Sequence, residues 1–314
     1  MESIRHRIGS DNFKKRLLLE HGYRQSTVKI AYWDMRYSHV RRIMKVLEAL
    51  LKVSGLWKPG IRNSLDYKVT ENRIESAHLP QAFDGFRVLH LSDLHIDAVP
   101  DAGESLKEKV LAVEAEMLVL TGDFRFEPHL GTEETLYCLR SFLKGLHYPF
   151  GIYAVLGNHD ALEMIEPLEA VGVRFLLNES VRLERGGQAL YLAGVDDPHF
   201  FQLHDLERAL RGIPRDAYRV LLAHSPEIAA AAAETGIHAY FCGHSHGGQI
   251  CLPGGAALFG NLRCGRRFFK GAWRERQMTG YTSSGTGTSG VPVRFFSRPE
   301  IVLHRFFRAP EIPG

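Results

Sequence analysis

The sequence predicts a layered α/β fold preceded by a helical extension. Three observations carry that expectation. From Phe86 onward, short β-branched and aromatic runs alternate with helical patterns. Those apolar runs repeatedly end in Asp, Asn or His. Before residue 80 the chain is instead basic and amphipathic.

The strands expected in order are FRVLHL, MLVLTG, GIYAVLG, VRFLLN, ALYLAGV, YRVLLAH and HAYFCG, then MTGYTSS, PVRFF and EIVLHRF towards the end. Between them GESLKEKVLAVEAE, TEETLYCLRSFLKGL, ALEMIEPLEAVG and PEIAAAAAETG carry helical periodicity, the last ended by glycine. The glycine-rich LPGGAALFGNLRCGRR is expected to be a loop beside the site. In the extension, RRIMKVLEALLKVSGLW places Ile43, Val46, Leu47, Leu50 and Leu51 at helical spacing, with Arg42, Lys45, Glu48 and Lys52 elsewhere around the helix. The expected division is residues 1–79 as a basic extension with an amphipathic helix and 80–314 as the α/β domain.

Charge separates the same two parts. Residues 1–79 hold 16 Lys/Arg against 8 Asp/Glu, a net +8, while the remainder holds 23 against 28, a net −5, within a total of +3. A basic amphipathic helix at 42–57, ending in Leu56 and Trp57, fits an anionic membrane surface, with packing against the α/β domain as the competing explanation. Four scattered cysteines without a CxxC favour a reducing compartment. With no apolar run of about 18 residues and no apolar signal core at the N-terminus, the protein is expected in the cytoplasm, peripheral on the inner face of a membrane.

The chemistry-bearing residues follow the strands. LSDLHID gives Asp93 and His95, LTGDF gives Asp123, LGNHD gives Asn158, His159 and Asp160, and LLAHSPE gives His224. FCGHSHGGQI adds His244 and His246, one residue apart, so that both imidazoles project to one face. Ligands in open α/β sheets bind at the carboxyl ends of the strands, where residues distant in sequence converge. A mixed Asp/His/Asn set suits borderline divalent ions. So many ligands exceed one ion's needs but match two ions about 3.5–4 Å apart, which clamp the attacking and leaving oxygens of a displacement at phosphorus.

The ordered set DxH, GD, GNHD, H and GHxH, from about Phe86 to Phe307, resembles the calcineurin-like metallophosphoesterase superfamily. The continuation GGQICLP and the tail SSGTGTSGVPVRFFSRPEIVLHRF resemble a bacterial, often membrane-associated subgroup. The resemblance implies a four-layer α/β/β/α sandwich and two divalent ions, manganese first with iron or zinc as alternatives. Position by position it implies Asp93, His95 and His246 at one ion, Asn158, His224 and His244 at the other, and Asp123 bridging them. It further implies in-line attack by a metal-bridging hydroxide, with His159 steadying or protonating the departing oxygen. The sequence departs from the family pattern at Phe126, where many members carry the second aspartate of GDxxD, so His159 needs another partner. Arg125 is expected to reach the phosphate beside Asn158. Asp160 is expected either to cap the helix that follows or to act electrostatically. His199 and His204 follow GVDDP with no evident partner, and Asp196 and Asp197 fit a turn before Pro198.

The substrate expected is a phosphorylated small molecule or lipid, with a nucleotide-linked lipid such as UDP-diacylglucosamine as one concrete option. Three other readings compete. A nuclease would explain the basic charge but not the apolar stripe, and no stacking pattern is visible, so nucleic acid is disfavoured. A non-catalytic scaffold is disfavoured because all seven expected ligands are present. A structural zinc knuckle of Cys242, His244, His246 and Cys251 leaves the aspartates unexplained.

Overall fold

The computed structural model describes residues 1–23, 27–30, 33–258 and 260–310. Its N-terminal part runs through helices α1 (Glu2–Ile8) and α2 (Ser10–Tyr23), a hairpin of β1 (Thr27–Ile30) and β2 (Trp33–Arg36), and helices α3 (Tyr37–Val53) and α4 (Trp57–Ser64). Then follow β3 (Lys68–Ser76), β4 (Arg87–Leu91), α5 (Glu104–Leu111), β5 (Met117–Leu120), α6 (Glu133–Leu143), β6 (Ile152–Ala154), α7 (Ile165–Glu169) and β7 (Val173–Phe175). The second half holds β8 (Glu179–Arg185), β9 (Gln188–Gly194), α8 (Leu206–Ala209), β10 (Tyr218–Leu222), α9 (Ala229–Glu234), β11 (Ala239–Cys242), β12 (Gly271–Glu275), β13 (Met278–Thr282) and β14 (Glu300–Arg308).

Two six-stranded sheets form, in the orders β3-β14-β4-β5-β6-β7 and β12-β13-β11-β10-β9-β8. Strands β4 to β7 are mutually parallel, as are β9, β10, β11 and β13. Alternation along the strands builds the layers. Leu118 and Leu120 of β5 join the core under α5, α6 and α7, whereas Met117 and Val119 face the other sheet. Likewise Val220 and Leu222 of β10 enter the core between the sheets, and Leu221 packs with Ile228, Ala229 and Ala232 around α9. Three stacked cores separate four layers, which is the expected α/β/β/α sandwich.

Several expectations change. PVRFF is not a strand: apart from one bridge between Phe295 and Ile250 the segment is irregular. Its Arg294 is fully buried and donates to the carbonyls of Gly287, His246, Ser284 and Gly285, which bends the chain around the guanidinium. The charged strands β3 and β8 escaped the hydrophobic pattern because each is the edge of its sheet, where one side needs no apolar cover. The sandwich also begins before residue 80. Strand β3 pairs with β14 over its whole length, and Ile4 and Ile8 of α1 are buried in the core under the helices.

The apolar stripe of α3 is divided. Leu47 and Leu51, with Met44, pack on Val291 and Val293, while Ile43, Val46, Leu50 and Val53 are 48%, 60%, 62% and 89% exposed. Among the described residues no helix is long and apolar enough to cross a membrane.

Candidate metal centre

The carboxyl ends of β4, β5 and β6 in one sheet, and of β10 and β11 in the other, deliver Asp93, His95, Asp123, Asn158, His159, His224, His244 and His246 to one place. Two glycines make this packing possible. A Cβ on Gly157 would lie 2.2 Å from Asp123 Oδ1, and one on Gly243 would lie 1.9 Å from Ser92 Oγ. The loops are sharply bent: Asp93, His95, Asp123, His244 and His246 have φ of 51°, 39°, 55°, 75° and 52°. Left-handed non-glycine residues cost roughly 1–3 kcal/mol each and persist only where surrounding contacts hold them.

Main-chain carbonyls fix three imidazole tautomers. Nδ1–H of His95 donates to Arg125 O at 2.8 Å, Nδ1–H of His224 to Thr121 O at 2.8 Å, and Nε2–H of His244 to Asn261 O at 3.0 Å. Each leaves the opposite ring nitrogen as a lone pair aimed inward. His224 Nε2 then lies 3.1 Å from His244 Nδ1 and 3.1 Å from Asn158 Oδ1, and His95 Nε2 lies 3.3 Å from His246 Nε2. Asp93 Oδ1 is 3.5 Å from His246 Nε2. Asp123 Oδ2 sits 3.3 Å from His224 Nε2 and 3.7 Å from His95 Nε2, between the two groups. The Nδ1 of His246 is buried without a hydrogen-bond partner.

So many buried lone pairs and carboxylates repel unless cations stand among them. Protons are one source of that charge. Burial opposes an imidazolium at His224, yet Asp123 and Asp93 bring its pKa up to about 10, while burial pushes Asp93 up to about 6. Divalent ions are the other source, and the donor set fits them. Asp93, His95 and His246 have ligand atoms within 4.8 Å of one another, as do Asp123, His224 and His244. The zinc-knuckle alternative fails here: Cys242 is buried against the helix α9 side, and Cys251 Sγ lies 3.4 Å from Gly247 O.

The partner of His159 is main chain. Its Nδ1–H donates to the carbonyl of Phe126 at 2.7 Å, so the residue that replaces the missing aspartate supplies the acceptor from its backbone. The His159 amide donates to Asp123 Oδ1 at 2.8 Å, and its Nε2 stands 4.0 Å from Asp123 Oδ2. Arg125 lines the cleft beside Asn158, with Nε on His159 O at 2.8 Å and Nη1 on Leu130 O at 3.1 Å. Its guanidinium therefore braces the loop that carries His159. Asp160 does not cap a helix; its buried carboxylate accepts from the amides of Asp123, Phe124 and Gly157, each at 2.8 Å, and ties the GD loop to the GNHD loop.

Several participants had no readable signal. Arg16 of α2 is fully buried, 2.9 Å from Glu20 and 3.3 Å from Asp196, with Nη2 on Asp160 O at 3.1 Å and its Cζ 3.5 Å over the Phe201 ring. Glu20 accepts from Leu162 N and lines the cleft with Asn158 and Phe201. In KKRLLLE nothing distinguishes Arg16 from the solvated lysines beside it. His199 is 2.8 Å from Glu227 Oε1, and its ring lies 4.1 Å from that of His244. Asp197 forms the expected turn, accepting from the amides of His199, Phe200 and Phe201.

The family model described as calcineurin-like phosphoesterase matches residues 86–248. The uncharacterized metallophosphoesterase YkoQ of Bacillus subtilis is 30% identical over 274 residues, covering 84% of this chain and 98% of that protein. A transmembrane protein with metallophosphoesterase domain of Danio rerio is 30% identical over 280 residues, covering 82% of this chain and 60% of its own length. Among solved structures, the calcineurin-like phosphoesterase YfkN from Bacillus subtilis aligns over 65% of this chain and 82% of that one, at 15% identity and a TM-score of 0.38.

Proposed function

Because this chain belongs to the calcineurin-like phosphoesterase family, hydrolases that act on phosphoester bonds at a dinuclear metal centre, we propose that Asp93, His95 and His246 hold one ion, Asn158, His224 and His244 the other, and that Asp123 bridges them. The observation that carries this reading is the placement of Asp123 Oδ2 between His224 Nε2 and His95 Nε2, at 3.3 and 3.7 Å. Two divalent ions, when bound, polarise the phosphoryl oxygens and lower the pKa of water at the centre. The chain's own residues do the rest. The carbonyls of Arg125, Thr121 and Asn261 hold the imidazoles in the tautomers that present lone pairs. His159, its Nδ1–H engaged by Phe126 O, turns Nε2 towards the centre; as the imidazolium it would give the Nε2 proton to the departing alkoxide and return to the neutral Nδ1–H tautomer. Arg125 and Asp160 keep that histidine's loop in register with Asp123.

For the substrate we infer a lipid or nucleotide-linked phosphoester or diphosphate, of which UDP-diacylglucosamine is an instance, with manganese as the working ion. Support for the lipid comes from helix α3, apolar and basic on its exposed side, which packs on Val291 and Val293 next to Arg294, a donor to His246 O. Purified protein assayed with phosphomonoesters, phosphodiesters and lipid diphosphates, each with Mn, Zn, Fe and Mg, should turn over the lipid-linked compounds fastest. Turnover confined to mononucleotides or to RNA would reject that substrate class. For the ligand assignment, Asp123→Asn should lower both bound metal, measured by elemental analysis, and turnover. Two ions per chain retained at full activity would reject the bridging role.

A further inference from the structure

We propose that the outer face of α3 is a docking surface for an anionic bilayer. The helix has two apolar faces with different fates. Met44, Leu47 and Leu51 seat it on Val291 and Val293. Ile43, Val46, Leu50 and Val53, spaced three and four residues apart, form a second stripe that stays between 48% and 89% exposed. Leu56, just past the helix, is exposed as well. A stripe of this kind on a helix already docked by its other side is surplus to the fold.

Charge selects the occupant. Residues 37–62 contain six Lys/Arg and one acid, Glu48, whose carboxylate is held by Lys52 at 2.5 Å. Arg42, Lys45, Lys52, Lys58 and Arg62 are all exposed. On the helical wheel Arg42 borders the outer stripe, with Lys45 and Lys52 beyond it on the side away from the body. Apolar side chains that enter the acyl boundary, flanked by cations at headgroup level, are what an interfacial helix presents to anionic lipid. Nucleic acid would leave the apolar stripe unused.

The position of the helix makes the surface relevant to the centre. The segment under α3 continues from Val293 into Arg294, whose Nη1 donates to His246 O at 3.2 Å. The same support carries further exposed apolar groups: Phe296 follows Phe295, and Leu252 and Leu258 lie in the loop that Ile250 anchors beside α3. The surface therefore adjoins the loop that presents His244 and His246. The lipid-substrate assignment leans on this same helix, but vesicle binding and hydrolysis are read separately, so either can fail without the other.

The test is flotation of the full-length, metal-loaded protein with vesicles of phosphatidylcholine alone or mixed with phosphatidylglycerol, at low and high salt. Binding is expected on the mixed vesicles, at least tenfold weaker on phosphatidylcholine alone and weakened by salt. Val46→Glu with Leu50→Glu should reduce binding at least tenfold while leaving the melting temperature and hydrolysis of a soluble nitrophenyl diester unchanged. Should that variant misfold, Arg42→Gln with Lys45→Gln, at exposed positions, tests the same surface. Failure of the wild type to float with anionic vesicles, or variants that float equally well, overturns the proposal. So does a dimer in light scattering that the Val46 and Leu50 substitutions dissolve without any vesicle binding, since a second copy would then be the occupant.

Discussion

Arg16→Met tests whether the N-terminal helix is part of the catalytic body. The guanidinium is wholly buried among Glu20 at 2.9 Å, Asp196 at 3.3 Å, the carbonyl of Asp160 at 3.1 Å and the Phe201 ring at 3.5 Å. Methionine keeps much of the volume and none of the charge. Breaking a buried ion pair from one side costs about 3–5 kcal/mol, because the partner is left buried and uncompensated. For a chain of this size the melting temperature should fall by about 5–8 °C. The pH dependence identifies the cause. Burial already raises the Glu20 and Asp196 carboxyls above their ordinary range. A group raised in the folded state contributes stability that is full below its unfolded pKa, about 4, and is lost as pH rises through the folded value. Removing Arg16 raises both carboxyls further, so the deficit should be largest at neutral pH and shrink towards pH 5. Calorimetry across that range, with limited proteolysis to follow release of α2, measures it. A melting temperature within 2 °C of wild type (roughly 1 kcal/mol or less by the same scaling), or a deficit independent of pH, would refute the argument.

Two further outcomes are expected. His159→Ala should lower kcat by about 10²–10⁴-fold with metal content near normal, and the loss should shrink for a good leaving group such as nitrophenolate; equal losses on good and poor leaving groups would count against proton donation. His90 and His304 are buried neutral, hydrogen-bonded at 3.2 Å, with burial holding His90 down at about 3 and His304 well below its usual value. The unfolded chain takes up their protons below about pH 6.5 while the folded chain refuses them, so each contributes a loss of about 1.4 kcal/mol per pH unit as acid is added. His304→Gln should make denaturant-derived stability less steep than wild type by about that amount between pH 6 and 5, and parallel curves would rule the mechanism out.

The sequence alone determined the class of fold and the residues of the candidate centre, because both are written locally. A buried parallel strand must be an apolar run, and the residue that leaves its carboxyl end must carry the chemistry, so Asp93, Asp123, Asn158, His224 and His244 stand at readable places. Strands that lie at a sheet edge, such as β3 and β8, leave no such trace, since one side of an edge strand is free to be charged. Partners that act at long range were decided only by the tertiary structure. Arg16 reaches Asp160 and Asp196, and Arg294 reaches the carbonyl of His246. Phe126 supplies His159 with a main-chain carbonyl rather than a side chain. The division of the α3 stripe belongs to the same class: periodicity records that Ile43, Leu47, Leu50 and Leu51 are apolar, but which of them meets the body depends on where Val291 and Val293 come to rest. A buried cation and a solvated one have the same letter, and a carbonyl has none; only the packing that removes water from around them gives either its role.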